Sequence, residues 1–274
     1  MIIYTSSFVL SAAAAGQPLT HPRIGWQTFT FDLLPSAVTV SSETANGPKD
    51  APLRPDTAEF WLPSALPATW QIDLGTTREI DYVGIAGHTI GSSGAAVLAE
   101  TSMDNVVWSG FASGIAPADD APLLFLDDVR SARYMRAQIT GGTVMPRIAV
   151  IYIGDVLEME REVNGSGFTP ITLSRQTVLH RSLSSSGQFL GQGFRRNGVV
   201  GSASFRHLDP DWYRENFDPF VAHARSLPYF FGWWPEQYPE EVGFVWTDKD
   251  ISGSYMGIRE LMQVSWNMNG IGNG

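Results

Sequence analysis

Apolar and polar residues alternate over short stretches of this chain, and few stretches hold a helical period. Trp70, Ile72 and Leu74 alternate with Gln71 and Asp73, which predicts a strand with one buried face. Ala37-Val38-Thr39-Val40, Tyr82-Val83-Gly84-Ile85-Ala86, Tyr134 to Ile139 and Ile148 to Ile153 are further short β-like runs. Asn46-Gly47-Pro48, Gly91 to Gly94 and Gly141-Gly142 separate them with turn chemistry. Many short strands without a helix indicate a β-sandwich or jelly roll over the first half.

The second half has a different pattern. Val199 to Leu208 and Ile258 to Met268 alternate as strands; in the latter, Ile258, Met262, Val264, Trp266 and Met268 share one face. Between them, Asp209 is placed to cap a helix, Pro210 suits its first turn, and Tyr213, Phe217, Phe220, Val221 and Ala224 recur at helical spacing. Asp218-Pro219 is expected to break or restart that helix. Charged residues from Glu158 to Glu162 followed by Asn164-Gly165-Ser166-Gly167 read as a solvated connection. The expected layout is a first domain over 1–156, a linker over 157–167 and a second domain over 168–274. At the N-terminus Ile2-Ile3 and Phe8-Val9-Leu10 are apolar, but no Lys or Arg precedes Arg23, so a strand and loop is expected rather than a leader.

Composition narrows the function. Among the 274 residues, only 17% are charged against about a quarter in ordinary soluble domains, so part of the surface is expected to be covered by other subunits. The net charge of −10 and the lack of a basic cluster beyond Arg195-Arg196 argue against nucleic-acid binding. With no cysteine, thiolate catalysis, thiolate metal sites and disulfides are excluded. No pair among His21, His88, His180, His207 and His223 has metal-ligand spacing, and neither a Gly-x-Ser-x-Gly elbow nor a phosphate-binding loop occurs. The reading is a non-enzyme without cofactor or metal, and no apolar run is long enough for a membrane helix.

Four segments, in order, resemble the discoidin-like, galactose-binding-like domains shared with coagulation-factor C-type modules. They are Val38 to Ser42, Trp61 to Gly75, Ser102 to Trp108 and Arg133 to Ile139, within a module running from about Ser36 to Ile153. Asn105 stands where that family usually has Gly, and Asn tolerates the positive φ of such a turn. The resemblance implies a jelly roll binding glycans, lipids or proteins through loops at one end. Here those are Glu43 to Phe60 and Ala86 to Gly94, offering Arg54, Asp56, Trp61 and His88. Trp61 also reads as a core residue and His88 as a loop histidine. Family members often hold structural calcium, but no Asp-rich loop is present. A structural core fragment ending near Val156 is expected to fold alone.

The whole chain resembles bacteriophage tail-tip or baseplate proteins of the distal-tail type. That likeness rests on Ile151 to Glu158, the helix from Asp211 to Ala224, the run Leu227 to Pro235, Gly243-Phe244-Val245-Trp246 and the closing strand. It implies a mainly β fold, a jelly roll followed by a β-sandwich or α+β domain with one broken helix. It also implies a homo-oligomeric ring in a virion tail assembled in the bacterial cytoplasm, with tail tube and hub proteins as partners and possible contact with a host glycan. Trp233 and Trp234 are the expected subunit contacts. The other reading of the chain is a carbohydrate-binding protein or accessory glycan-binding module.

Overall fold

The computed structural model describes residues 2–5 and 195–197 as backbone alone, and the rest of residues 17–111, 114–257 and 260–271 in full. The strands are β1 (Ile2–Thr5), β2 (Arg23–Gly25), β3 (Val38–Val40), β4 (Ala68–His88), β5 (Ala95–Ser102), β6 (Ser109–Gly110), β7 (Leu123–Gly141) and β8 (Ile148–Gly154). They continue with β9 (Leu157–Glu158), β10 (Arg175–Leu183), β11 (Phe189–Leu208), β12 (Tyr229–Gly232), β13 (Val242–Trp246), β14 (Ser252–Tyr255) and β15 (Met262–Ile271).

One sheet has the order β3-β4-β7-β5-β6, with β8 added along β4 and β1 along β7. The β4–β7 ladder slips between Asp73 and Arg78, where Gly75 sits at φ 76° with its N–H bonded to the Asp73 carboxylate at 2.8 Å. On either side of that slip the ribbon takes different neighbours: β3 and β5 on one side, β8 and β1 on the other. Side chains from both sides, including Trp70, Ile72, Ala137, Val83, Phe125 and Ile151, fill one core. The sheet thus supplies both walls of a jelly roll, as expected.

The outer face of the second wall is buried too. Tyr82, Ala86, Leu124, Val150 and Tyr152 belong to a second core with Phe205, Phe220, Phe230, Phe244 and Trp266. This explains why Ile148 to Ile153 is continuously apolar: a strand covered on both faces has no polar positions to alternate with. Covering that wall is a second sheet of order β10-β11-β15-β13-β12-β2-β9, with β14 on β15. Two of its strands come from unexpected places, β2 from the N-terminal stretch and β9 from the segment read as a connection. The Tyr152 hydroxyl donates to the Pro228 carbonyl at 3.1 Å, and its ring meets Phe230 edge-on at 5.5 Å.

The helix forms as its residues dictate. Asp209 accepts from the N–H groups of Asp211 and Trp212 at 2.8 and 2.9 Å, capping α1 (Pro210–Trp212). A π-helical turn, Tyr213–Phe217, follows and leads into α2 (Asp218–Ala224). The wider turn falls just before Pro219, which has no N–H for the α ladder, so the helix is reset rather than ended. Phe217 and Phe220 seat it against Trp266 at 5.6 and 6.1 Å. No described helix is long and apolar enough to cross a membrane.

Candidate functional site

Of the four loop residues suggested by the jelly-roll likeness, two are wholly buried and two are exposed. Trp61 is wholly buried and its indole donates to the Ser42 carbonyl at 3.1 Å. His88 is also wholly buried, because β4 runs on through Ala86 and Gly87 to pair His88 with Ile148; the expected loop begins only after it. Its Nε2 lies 2.7 Å from the Ala121 carbonyl, and burial pushes its pKa down to about 4. Neither residue has surface to offer a ligand. Arg54 and Asp56 are exposed, but Arg54 bridges Glu59 at 3.1 Å and Asp56 accepts from the Ala58 N–H at 2.7 Å. This arrangement tightens the loop locally. The Asn105 turn does form as expected, at φ 63°, with Ser102 and Asp104 accepting from the N–H groups that follow.

Trp233 and Trp234 are half-buried in a cluster of their own chain. Trp233 stacks on Tyr238 at 5.1 Å, meets Trp234 edge-on at 5.5 Å and donates to Glu241. The strand before them, Tyr229–Gly232, is fully buried core.

A cleft of about 610 Å³ opens instead where the two cores meet, beside β2, β9 and the first turns of the helix. Trp26 and Trp212, both half-buried, line it with Asp155, Glu158, Glu215 and Asn216. The indoles are held from behind: Trp26 meets His223 and Phe220 edge-on at 5.3 and 6.3 Å, and Trp212 leans on Phe217 at 6.4 Å. Glu158 accepts from the Gln17 N–H at 2.7 Å and pairs with Arg23 at 3.2 Å. Arg23 itself is buried, donating to the carbonyls of Gln17 and His21 at 2.6 and 3.1 Å, and it does not line the cleft. Burial lowers its pKa, opposed by Glu158 and Asp81. Asp81 lies under the cleft wall and accepts from the Val156 N–H at 2.7 Å. Burial raises its pKa well above the usual carboxylate range, and the adjacent Asp155 adds to that rise.

No Lys or Arg is among the lining residues, so the cleft disfavours anions; its indole faces suit C–H surfaces, and its carboxylates and amides suit hydroxyls. These residues escaped the sequence reading because the pairing is spatial. Trp26 and Trp212 lie far apart in the chain, and the acids from Asp155 to Glu162 carry no motif. Among the described residues, no group of three or more His, Asp or Glu is placed to hold a metal.

No family model matches the chain, and no curated protein matches it. Solved structures similar to it include SpGH29 (19% identity, TM-score 0.39), where the match covers 47% of this chain and 28% of that one. Another is a chitosan-binding module from a chitosanase/glucanase of Paenibacillus sp. IK-5 (14% identity, TM-score 0.40, 47% of this chain and 99% of that one). A third is the family 32 carbohydrate-binding module of Clostridium perfringens NanJ in complex with galactose (15% identity, TM-score 0.38, 48% and 98%). At these values the likeness is one of fold alone.

Proposed function

We propose that this protein is a non-catalytic carbohydrate-binding protein whose site is the cleft between the two cores. The observation that carries the reading is the pair of half-buried indoles, Trp26 and Trp212, lining the cleft together with carboxylates and amides and with no Lys or Arg. Such a site stacks a pyranose ring on indole and accepts its hydroxyls, and it suits neutral or amino sugars over uronic acids. A hydrolytic role is disfavoured because Asp81, the carboxyl whose pKa burial raises, does not line the cleft. Titration calorimetry against neutral, amino and acidic oligosaccharides tests this. Trp26→Ala and Trp212→Ala should each weaken binding about tenfold, or ~1.4 kcal/mol, with the fold intact. Folded variants that bind as the parent does, or a parent that binds no sugar, would refute it.

A second reading is a structural subunit of a phage tail tip, set in a ring and touching a host surface through its glycan site. It is favoured by β10 and the outer part of β11, which project from the second sheet with apolar side chains in solvent. On that reading Trp233 and Trp234 lie at or beside a subunit contact. Replacing both with Ser should block co-purification with tail particles while circular dichroism stays unchanged; normal incorporation of the folded double variant would count against it.

A further inference from the structure

Strand β15 has a second face that the cleft does not use. Met262, Val264, Trp266 and Met268 are buried on the side of the helix, so Gln263, Ser265, Asn267 and Asn269 lie on the other side. Ser202 and Ser204 of β11 stand directly opposite Asn267 and Ser265 and share that face. All six of these positions carry an amide or a hydroxyl, with Arg206 opposite Gln263 at their end. The face deepens into a groove of about 720 Å³, lined by Ser202, Asn267 and Asn269 together with Leu173, Gln176 and Asp248. Arg175 and Asp248 are the charged residues of the lining, one of each sign, so the groove is formally neutral on a chain of −10. The Asn269 amide donates to the Asp248 carboxylate, which fixes its orientation. Directly across from Asn269 on β13 is Trp246, which is 40% exposed.

Val200, Asn269 and Trp246 therefore form a row across three adjacent strands. Strands lie ~4.8 Å apart, so the row is about 10 Å long, room for a pyranose ring on the indole with its hydroxyl edge over the amides. We infer that this groove is a second saccharide site, one for neutral sugar chains, with Trp246 as its stacking platform and Asn267, Asn269 and Ser202 as its hydroxyl partners. An indole offers the C–H face of a sugar an apolar surface, and amides and hydroxyls both donate to and accept from its hydroxyls. A charged ligand finds no net charge there to hold it. The groove shares no lining residue with the cleft and lies on the sheet face away from the helix, so the inference does not rest on the reading of the cleft. The two sites also differ in character, because the cleft carries acids without Lys or Arg and the groove is balanced. With both occupied, the chain is bivalent and cross-links a polysaccharide that either site alone would only bind.

Titration calorimetry of the full chain with neutral hexasaccharides built from glucose, mannose, xylose, galactose or N-acetylglucosamine tests the inference. The parent should take up two molecules of at least one of these per chain. A chain carrying Trp26→Ala and Trp212→Ala should keep one of them, with an affinity constant within about twofold between low and high salt, as an uncharged ligand requires. Adding Trp246→Ala should weaken that remaining binding about tenfold. Ser202→Arg fills the groove from an exposed position, so it should weaken binding as much while the melt stays unchanged. Binding that disappears with the two cleft indoles sinks this inference and leaves the saccharide reading standing. One molecule kept without those indoles and lost with Trp246→Ala upholds the groove even where the cleft takes no sugar. Folded Trp246→Ala and Ser202→Arg variants that bind normally, or a parent that binds no hexamer, would overturn the proposal. So would a glucosamine or glucuronate hexamer held in the groove more tightly than every neutral one. A Trp246→Ala change in oligomeric state with sugar binding intact would make the groove an interface between copies and overturn it too.

Discussion

Gly84 is a point of close fit between the first sheet and Phe230 of the second, and Gly84→Ala should be costly. A Cβ built there would lie 2.4 Å from Phe230 Cε2, 2.7 Å from Cδ2 and 2.8 Å from Cζ. Ordinary contacts between such atoms are about 3.5–4 Å, so the ring or β4 must move by roughly 1 Å. Phe230 has little freedom to yield: it is wholly buried, packed on Tyr152 at 5.5 Å and Phe244 at 4.9 Å, and its strand is paired on both sides. Overpacking of this kind costs about 1–3 kcal/mol, and the closeness of the clash places it near the upper end. The loss of unfolded-state freedom on replacing Gly offsets about 0.4–1 kcal/mol. A net loss of about 2 kcal/mol is expected, or roughly 4–8 °C in the melting midpoint for a chain of this size. Urea titration of Gly84→Ala, Phe230→Leu and the double variant measures it. Trimming the ring should make room for the methyl, so the double variant should be more stable than the sum of the singles by about 1–2 kcal/mol. A Gly84→Ala protein within 0.5 kcal/mol of the parent, or strict additivity, would refute this fit between the cores.

Trp70 is wholly buried with its indole bonded to the Lys49 carbonyl at 2.8 Å, so Trp70→Ala should cost roughly 3–5 kcal/mol by calorimetry; an unchanged melt would refute its core role. His88 stays neutral in the folded chain down to about 4, while the unfolded chain takes up a proton below the ordinary value of 6.5. Its contribution is therefore full above 6.5 and is lost as the pH falls toward 4, at most roughly 3 kcal/mol. Asp81, with its raised pKa, acts in the opposite sense, favouring the fold at low pH and losing that contribution as the pH rises. The measurement is thus the difference in stability between the parent and His88→Gln across that window, and parallel curves would refute it. A fragment ending at Val156 bares Tyr82, Leu124, Val150 and Tyr152, so it should aggregate or bind a hydrophobic dye, against the expectation of a free-standing module; a monomeric, sharply melting fragment would refute this.

The strands of the jelly roll were legible because their side chains obey a period of two, as at Trp70, Ile72 and Leu74. The Ser102 to Trp108 turn was legible because its bonds are local. The helix cap at Asp209 and the alternating face of β15 were legible for the same reasons. What could not be read was which surface each strand's second face meets. The run Ile148 to Ile153 announces burial on both faces but not the partner, which begins more than seventy residues later at Tyr229. β10 went unrecognised because its nine residues are all exposed and show no alternation of burial. The cleft was hidden for a related reason: its two indoles and its acids are brought together only when β2 crosses into the second sheet.

That crossing also sets the electrostatics of the cleft. Asp81, Asp155 and Glu158 converge on a region whose one nearby cation, among the described residues, is Arg23, held under the floor by backbone carbonyls and Glu158. Three ionised carboxylates against one guanidinium would repel one another in a partly dry site. The raised pKa of Asp81 eases that repulsion, and its carboxyl still accepts from the Val156 N–H, which fixes the start of β9. Glu158 is paired with Arg23, and Asp155 lines the cleft. The junction between the cores therefore sets which carboxylates a ligand can meet, and loosening it, as at Gly84, should alter binding before it unfolds the protein.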